Sequence, residues 1–424
     1  MLDLGCRARP FLGLALVGLA LPGLSAAARG QCQPPFQQKL LASDGGLGQG
    51  FGVSVALDGN RLLVGANGDD EQAVNAGAGY VFELEGGRWN ESAKLIAPNG
   101  FFYDELGQNC ALTGDWALLG TPFTGIEIGS VYAFHHENGA WVLAQQLVNP
   151  DIEQASYFSY SMAASGDRLI VGAPYSDLDA PGAGRAYIYH FNGHTWLLEQ
   201  TLHPPSPLPG GYDDAFGWSV GISGTTAVVA APYANAPTTD SGIAWVYEFD
   251  GSWELAAGLT PSGDPLFAGF ARAVAVDQDT VLVGAPYANA FASGAAYAFE
   301  RSGASWVQAA KLEPPSISSQ GQFGEAVALR GDHALVFEIG PGWPNGQTGD
   351  AWLFVDDGAG WTRLAKLIGP DTAVGDMLGS KLALGPSRAV LGAFNNSTIG
   401  DSAGAVYDFG LCAFDDLGGA HAGA

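Results

Sequence analysis

Residues 51–95 read FGVSVALDGNRLLVGANGDDEQAVNAGAGYVFELEGGRWNESAKL. Four short runs lie in this stretch: Phe51-Gly52-Val53-Ser54-Val55-Ala56, Leu62-Leu63-Val64-Gly65-Ala66, Tyr80-Val81-Phe82, and the segment from Trp89 to Lys94-Leu95. Turn residues divide them, with Asp58-Gly59-Asn60 after the first run and Gly86-Gly87 after the third. β-Branched and aromatic side chains fit a pleated, half-buried surface, and glycine beside Asp or Asn supplies the positive φ of a tight hairpin. The stretch therefore predicts four antiparallel strands in one small sheet.

The same unit recurs along the chain. Trp89, Trp141, Trp196, Trp253, Trp306 and Trp361 mark a period of roughly 55 residues. The first run has counterparts beginning at Leu106-Gly107, Phe158-Ser159, Phe216-Gly217, Phe270-Ala271, Phe323-Gly324 and Leu378-Gly379. The second recurs at Leu118-Leu119-Gly120, Ile170-Val171-Gly172, Val228-Val229-Ala230, Leu282-Val283-Gly284, Leu335-Val336-Phe337 and Val390-Leu391-Gly392. One four-stranded sheet cannot bury both of its faces, whereas seven stacked in a ring bury them against one another. The expected fold is therefore all-β, a seven-bladed β-propeller of four-stranded antiparallel blades. The chain opens with the fourth run of a unit, Lys39-Leu40, and its last repeat ends on the third, Val406-Tyr407-Asp408-Phe409. The ring is thus expected to be closed by the N-terminal strand joining the last blade, which leaves no open sheet edge at the seam.

Phe216-Gly217, Gly172-Ala173-Pro174 and Gly284-Ala285-Pro286, set in seven registered copies over residues 36–409, resemble the FG-GAP repeat of the integrin α-chain head and of many exported bacterial proteins. The resemblance implies the same propeller. It also raises calcium, which integrin-like repeats hold on an Asp-x-Asp-x-Asp-Gly loop between their first and second strands. Here that connection is a short turn in every unit, and no Asp-x-Asp-x-Asp-Gly occurs. Calcium takes six to eight oxygen ligands, and the nearest substitutes are Asp69, Asp70, Asp177 and Asp179 in longer loops. The alternative for these four is solvated loop carboxylates. No other cofactor is expected.

Charge and chain ends narrow the class. The formal net charge is −26, from 17 basic and 43 acidic residues. Such a surface repels phosphate backbones, so nucleic acid is not an expected partner. It suits cations, basic partners, or solubility in salty surroundings. Residues 1–28 read as a secretory signal peptide: Arg7 and Arg9, an apolar run from Phe11 to Leu24 too short to span a membrane, then Ser25-Ala26-Ala27-Ala28. One domain is expected over 29–414 and a short flexible tail over 415–424, with no membrane span in the mature chain. The expected location is secreted, periplasmic or cell-surface. Export permits a disulfide between Cys32 and Cys412, at the two ends of the repeat region. Cys110, inside a strand pattern, is expected to be a small buried hydrophobe.

The connections between first and second runs, and between third and fourth, are tight turns on one face of the ring. Arg330-Gly331-Asp332 is one of these turns. The other two connections are longer, more varied, and lie on the opposite face, where binding is expected. The candidate residues there are Asp104, Tyr157, Tyr175, Asp213, Tyr233, Tyr287 and Trp343. Aromatic faces suit sugars, while the repeated Pro174-Tyr175, Pro232-Tyr233 and Pro286-Tyr287 suit structural rim packing equally well. No nucleophile elbow and no His-Glu-x-x-His occurs. Three readings follow: a monomeric, non-catalytic binding or adhesion module for an extracellular protein or glycan; a hydrolase of extracellular polymers using a carboxylate pair; or a structural component of a surface assembly.

Overall fold

The computed structural model describes residues 33–205, 214–235, 241–262, 269–289, 292–315, 321–340 and 348–411. The strand-forming runs fold into seven four-stranded antiparallel sheets, six of them in plain sequence order from the innermost strand outward. Blade 1 consists of Phe51–Asp58, Arg61–Ala66, Ala78–Glu85 and Arg88–Leu95. Blades 2 to 6 span 109–148, 161–202, 220–259, 273–312 and 327–367. Blade 7 takes its three inner strands from 381–410 and its outermost from Phe36–Leu40, which pairs with Ala405–Gly410 in a register running from Phe36 opposite Phe409 to Leu40 opposite Val406. A single helical turn, Thr124–Glu127, is the helix among the described residues.

The core lies between blades rather than within them. Val228 and Val246 of blade 4 pack with Phe270, Val283, Tyr297 and Phe299 of blade 5, all buried. The same alternation repeats around the ring, with Phe51, Phe158, Phe216 and Phe323 fully inaccessible. Burying each such side chain contributes about 1.5–3 kcal/mol. No blade can collect that energy without its neighbours, so the repeat folds only as a ring.

The joint between blades explains the Phe-Gly signature. The residue after the Phe or Leu has positive φ in all seven copies, from +67° at Ala271 and +76° at Ser159 to +100° at Gly324. This left-handed turn aims its carbonyl at the second strand of the preceding blade. There a Cβ on Gly65, Gly172, Gly284 or Gly392 would lie 1.9–2.2 Å from the carbonyl oxygen of Gly107, Gly217, Gly324 or Gly52, respectively. At these four joints glycine is therefore required on the receiving strand by contact with backbone. Blade 6 departs from the rule, since Phe337 stands where the others carry Gly or Ala.

At the rim, Gln38, Gln145 and Gln200 each reach from one blade to the next. Each side-chain amide both donates to and accepts from the backbone of Trp89, Trp196 or Trp253, at 2.8–2.9 Å.

Candidate functional site

The left-handed turn also sets what the ring presents at its centre. The next residue in each copy lies at the long-loop end of the innermost strand. These seven are Val53, Gln108, Tyr160, Trp218, Arg272, Glu325 and Ser380, and all line one axial cavity of about 660 Å³. The following residues form a second tier that joins blades. Ser54 Oγ donates to Gly107 O at 2.7 Å, Ser161 Oγ to Gly217 O at 2.8 Å, and Asn109 Nδ2 to Tyr160 O at 2.6 Å. Lys381 is the basic member of this tier. A third tier is apolar, including Val55, Met162, Val274 and Leu382. The cavity thus has a polar, varied mouth above an apolar lining, and its volume lies in the range of small-ligand pockets.

Aromatic rings form an arc along one side of the mouth. Tyr157 and Tyr175 have ring centroids 5.0 Å apart, Tyr175 and Tyr160 6.0 Å, Tyr160 and Trp218 5.0 Å, and Trp218 and Tyr233 5.7 Å. The Arg272 guanidinium lies 4.2 Å from the Trp218 ring centroid. Its Nε donates to Glu325 Oε1 at 3.0 Å, and an Nη donates to the Tyr233 hydroxyl at 3.4 Å. Burial alone would lower the Arg272 pKa, but Glu325 outweighs it and holds it above the ordinary arginine value. Burial, with Tyr175 alongside, pushes the Tyr160 hydroxyl up to about 12. Tyr175, Tyr233 and Tyr287 are each 40–44% exposed, so part of each ring is open to a ligand.

The expected site residues divide sharply. Tyr157, Tyr175 and Tyr233 meet in the arc, and Tyr287 shares the electrostatic surroundings of Arg272, Glu325 and Tyr233. Asp104 is buried and accepts the Phe101 N–H at 2.7 Å, bracing its own loop. Asp213 and Trp343, and both Cys32 and Cys412, lie outside the described residues.

The four carboxylates suggested for calcium are not assembled into an open shell. Asp69 is buried, and its oxygens accept from Lys94 Nζ (2.9 Å), Tyr80 Oη (3.0 Å), Gln49 Nε2 and Glu71 N. Lys94 is also held by Asp44 and Glu71, so an ammonium stands among three carboxylates. Asp179 is taken by Arg185 and His203. Asp70 and Asp177 accept loop N–H groups of Asn75 and Gly182, both at 2.7 Å. These residues do not fit calcium, which needs several uncommitted oxygens around one point. Among the described residues no group of three or more His, Cys, Asp or Glu side chains comes together to hold a metal ion.

Other acids of this face are structural. Asp44, Asp151 and Asp371 accept the hydroxyls of Tyr80, Tyr187 and Tyr407 at 2.7–2.8 Å, a clasp from the incoming loop to the third strand. Cys110 lines the channel but is buried, and burial pushes its thiol up to about 12, which leaves it protonated and packed. Arg330-Gly331-Asp332 spans the turn between Val327–Arg330 and His333–Glu338, on the other face. Among the described residues no helix is long and apolar enough to cross a membrane.

Tyr160, Trp218, Arg272, Glu325 and Lys381 carry the channel chemistry, and sequence reasoning passed over them as strand residues. A signal was present. In the aligned units, the position after Phe-Gly reads Val, Gln, Tyr, Trp, Arg, Glu and Ser, the least uniform place in an otherwise regular strand.

A family model described as FG-GAP repeat matches residues 35–82, 89–134, 141–189, 196–247, 253–299 and 361–409, well over half of the chain. No curated protein matches the chain.

Proposed function

The chain belongs to the FG-GAP repeat family, and from that premise we propose that it is an exported, non-catalytic binding module that takes a glycan at the long-loop mouth of its channel. The observation that carries this reading is the arc of rings from Tyr157 to Tyr233, with partly open tyrosine faces beside the Arg272–Glu325 pair. Sugars present apolar C–H faces that stack on aromatic rings and hydroxyls that need fixed polar partners, and the mouth offers both. Glu325 is the one carboxylate among the described lining residues, whereas glycoside hydrolysis uses two across the scissile bond. That favours binding over the hydrolase reading. Export rests on the N-terminal segment of the sequence alone.

A second observation favours a protein partner. Phe101, Phe102 and Tyr103 are 66%, 68% and 58% exposed in the loop leading into blade 2. One experiment separates the two: retention of the protein on immobilised polysaccharides, comparing wild type, a Tyr175→Ala/Tyr233→Ala variant and a Phe101→Ser/Phe102→Ser variant. The glycan reading expects retention lost in the first variant and kept in the second. Equal retention of all three, or none by wild type, would sink it.

A further inference from the structure

The channel mouth differs electrostatically from the rest of the molecule. In a chain of formal net charge −26, its described lining carries two basic side chains, Arg272 and Lys381, against one carboxylate, Glu325. The three come from consecutive blades 5, 6 and 7, so the two cations flank the acid around the ring. Their bonding is unequal. Glu325 gives Oε1 to Arg272, while its Oε2 is buried with no hydrogen-bond partner. Lys381 has no carboxylate within ion-pair distance among the described residues, and burial holds its amine below the ordinary lysine value against the opposing pull of Glu325. Two further mouth atoms, Gln108 Oε1 and Ser380 Oγ, are also buried without partners.

Buried polar atoms in folded proteins are nearly always paired, so a ring of unpaired ones around a cavity indicates where a polar ligand binds. The unpaired set is specific. Gln108 Oε1 and Glu325 Oε2 are acceptors and call for hydroxyl or amine donors. The Lys381 ammonium is a donor and calls for an anion. Tyr160 and Trp218, lining the same cavity, supply ring surface for an apolar face. A neutral sugar satisfies the acceptors but leaves the lysine desolvated and unmatched. A simple anion satisfies the lysine but leaves the acceptors and rings unused.

We propose that the channel mouth selects a carboxylate-bearing sugar of the uronic-acid type, with its carboxylate on Lys381 and its hydroxyls on Glu325 Oε2 and Gln108 Oε1, an assignment that rests on the glycan reading above. A carboxylate on Lys381 completes a charge-assisted pair in a site with restricted water access, where such a pair outweighs a neutral hydrogen bond.

The test is calorimetric titration of the full chain with two probes, trigalacturonate and neutral galactotriose, in wild type, Lys381→Gln and Lys381→Arg. The expected result is binding of the acidic probe about tenfold or more tighter than the neutral one. Lys381→Gln should abolish that preference, bringing the acidic probe down to the affinity of the neutral one, and Lys381→Arg should restore most of it. Melting curves of the variants check that the ring is intact. Equal binding of the two probes by wild type, or a preference that survives Lys381→Gln, would overturn the acidic-sugar assignment and leave the glycan reading standing. If neither probe binds wild type, the glycan reading itself falls.

Discussion

The joint between blades 5 and 6 and the joint between blades 6 and 7 solve one packing problem in opposite ways. At the first, the second strand of blade 5 carries Gly284, and a Cβ there would stand 1.9 Å from the carbonyl oxygen of Gly324. Backbone touches backbone, with no room for a side chain. At the second, Phe337 occupies the register of Gly284, is almost fully buried and lines the channel. A Cβ on Gly379 of blade 7 would meet the Phe337 ring at 3.2 Å and Ala351 Cβ at 3.1 Å. A large side chain there fills space that a neighbouring carbonyl fills at the other joint. The difference teaches that ring closure demands filled joints rather than glycine as such. It also places the exceptional joint next to Lys381, two residues beyond Gly379.

The largest effect should come from forcing a side chain into the tight joint. Gly284→Ala puts a Cβ against a fixed backbone oxygen, and overpacking of this kind against backbone should cost on the order of 4 kcal/mol. Urea denaturation reads the loss directly. A cost below about 1 kcal/mol would mean that blades 5 and 6 part easily and that the contrast between the joints is empty.

Emptying the other joint comes next. Phe337→Ala leaves a void that the surrounding blades cannot fully close, at about 3 kcal/mol. If this variant is as stable as wild type, Phe337 is not the packing element that distinguishes the 6/7 joint. If Phe337→Gly is more stable than Phe337→Ala, joint 6/7 can revert to the backbone contact of its neighbours.

The smallest effect sharpens the comparison at the rim, where charge rather than packing links blades 3 and 4. Glu199 accepts Arg168 at 2.9 and 3.0 Å and the Trp253 indole N–H of the next blade at 3.0 Å. The Arg168 hydrogen bond, with some opposition from burial, lowers the Glu199 pKa below its ordinary 4.5. A carboxyl lowered in the folded state contributes stability that is present above its unfolded pKa and disappears as pH falls through the folded value. Glu199→Gln should therefore cost about 1 kcal/mol at pH 7 and progressively less below pH 4.5, as wild type itself becomes protonated. Thermal melts of both proteins across that range would show the two converging in acid. A constant or widening gap would assign the rim contact to shape instead of charge.

Much of this architecture was legible in the residues. The runs from Phe51 to Leu95 carry their strand character locally, and the glycine pairs at their turns carry the hairpins. The registered Trp residues count the blades. Even the closing strand could be read, because Lys39-Leu40 is the fourth run of a unit whose first three lie at the other end of the chain. The site was legible only in part. Tyr157, Tyr175, Tyr233 and Tyr287 were named from their loops, and the structure sets them round one mouth. The surroundings of the acids were not legible: Asp69 and Asp104 look alike in sequence, and only the fold sets Lys94 on the first and the Phe101 amide on the second.

The physical division follows range. Strand propensity, turn chemistry and the hydrophobic period act over a few residues, so the sequence alone determined how many blades there are, the order of strands within them and how the ring closes. Convergence acts across the whole ring. Trp218, Arg272, Glu325 and Lys381 are separated by roughly one repeat each along the chain and meet only because the closed stack of blades brings the starts of their strands to one axis. Only the tertiary structure could decide which carboxylates stay free and which side chains share a cavity, since both depend on partners that no local window contains.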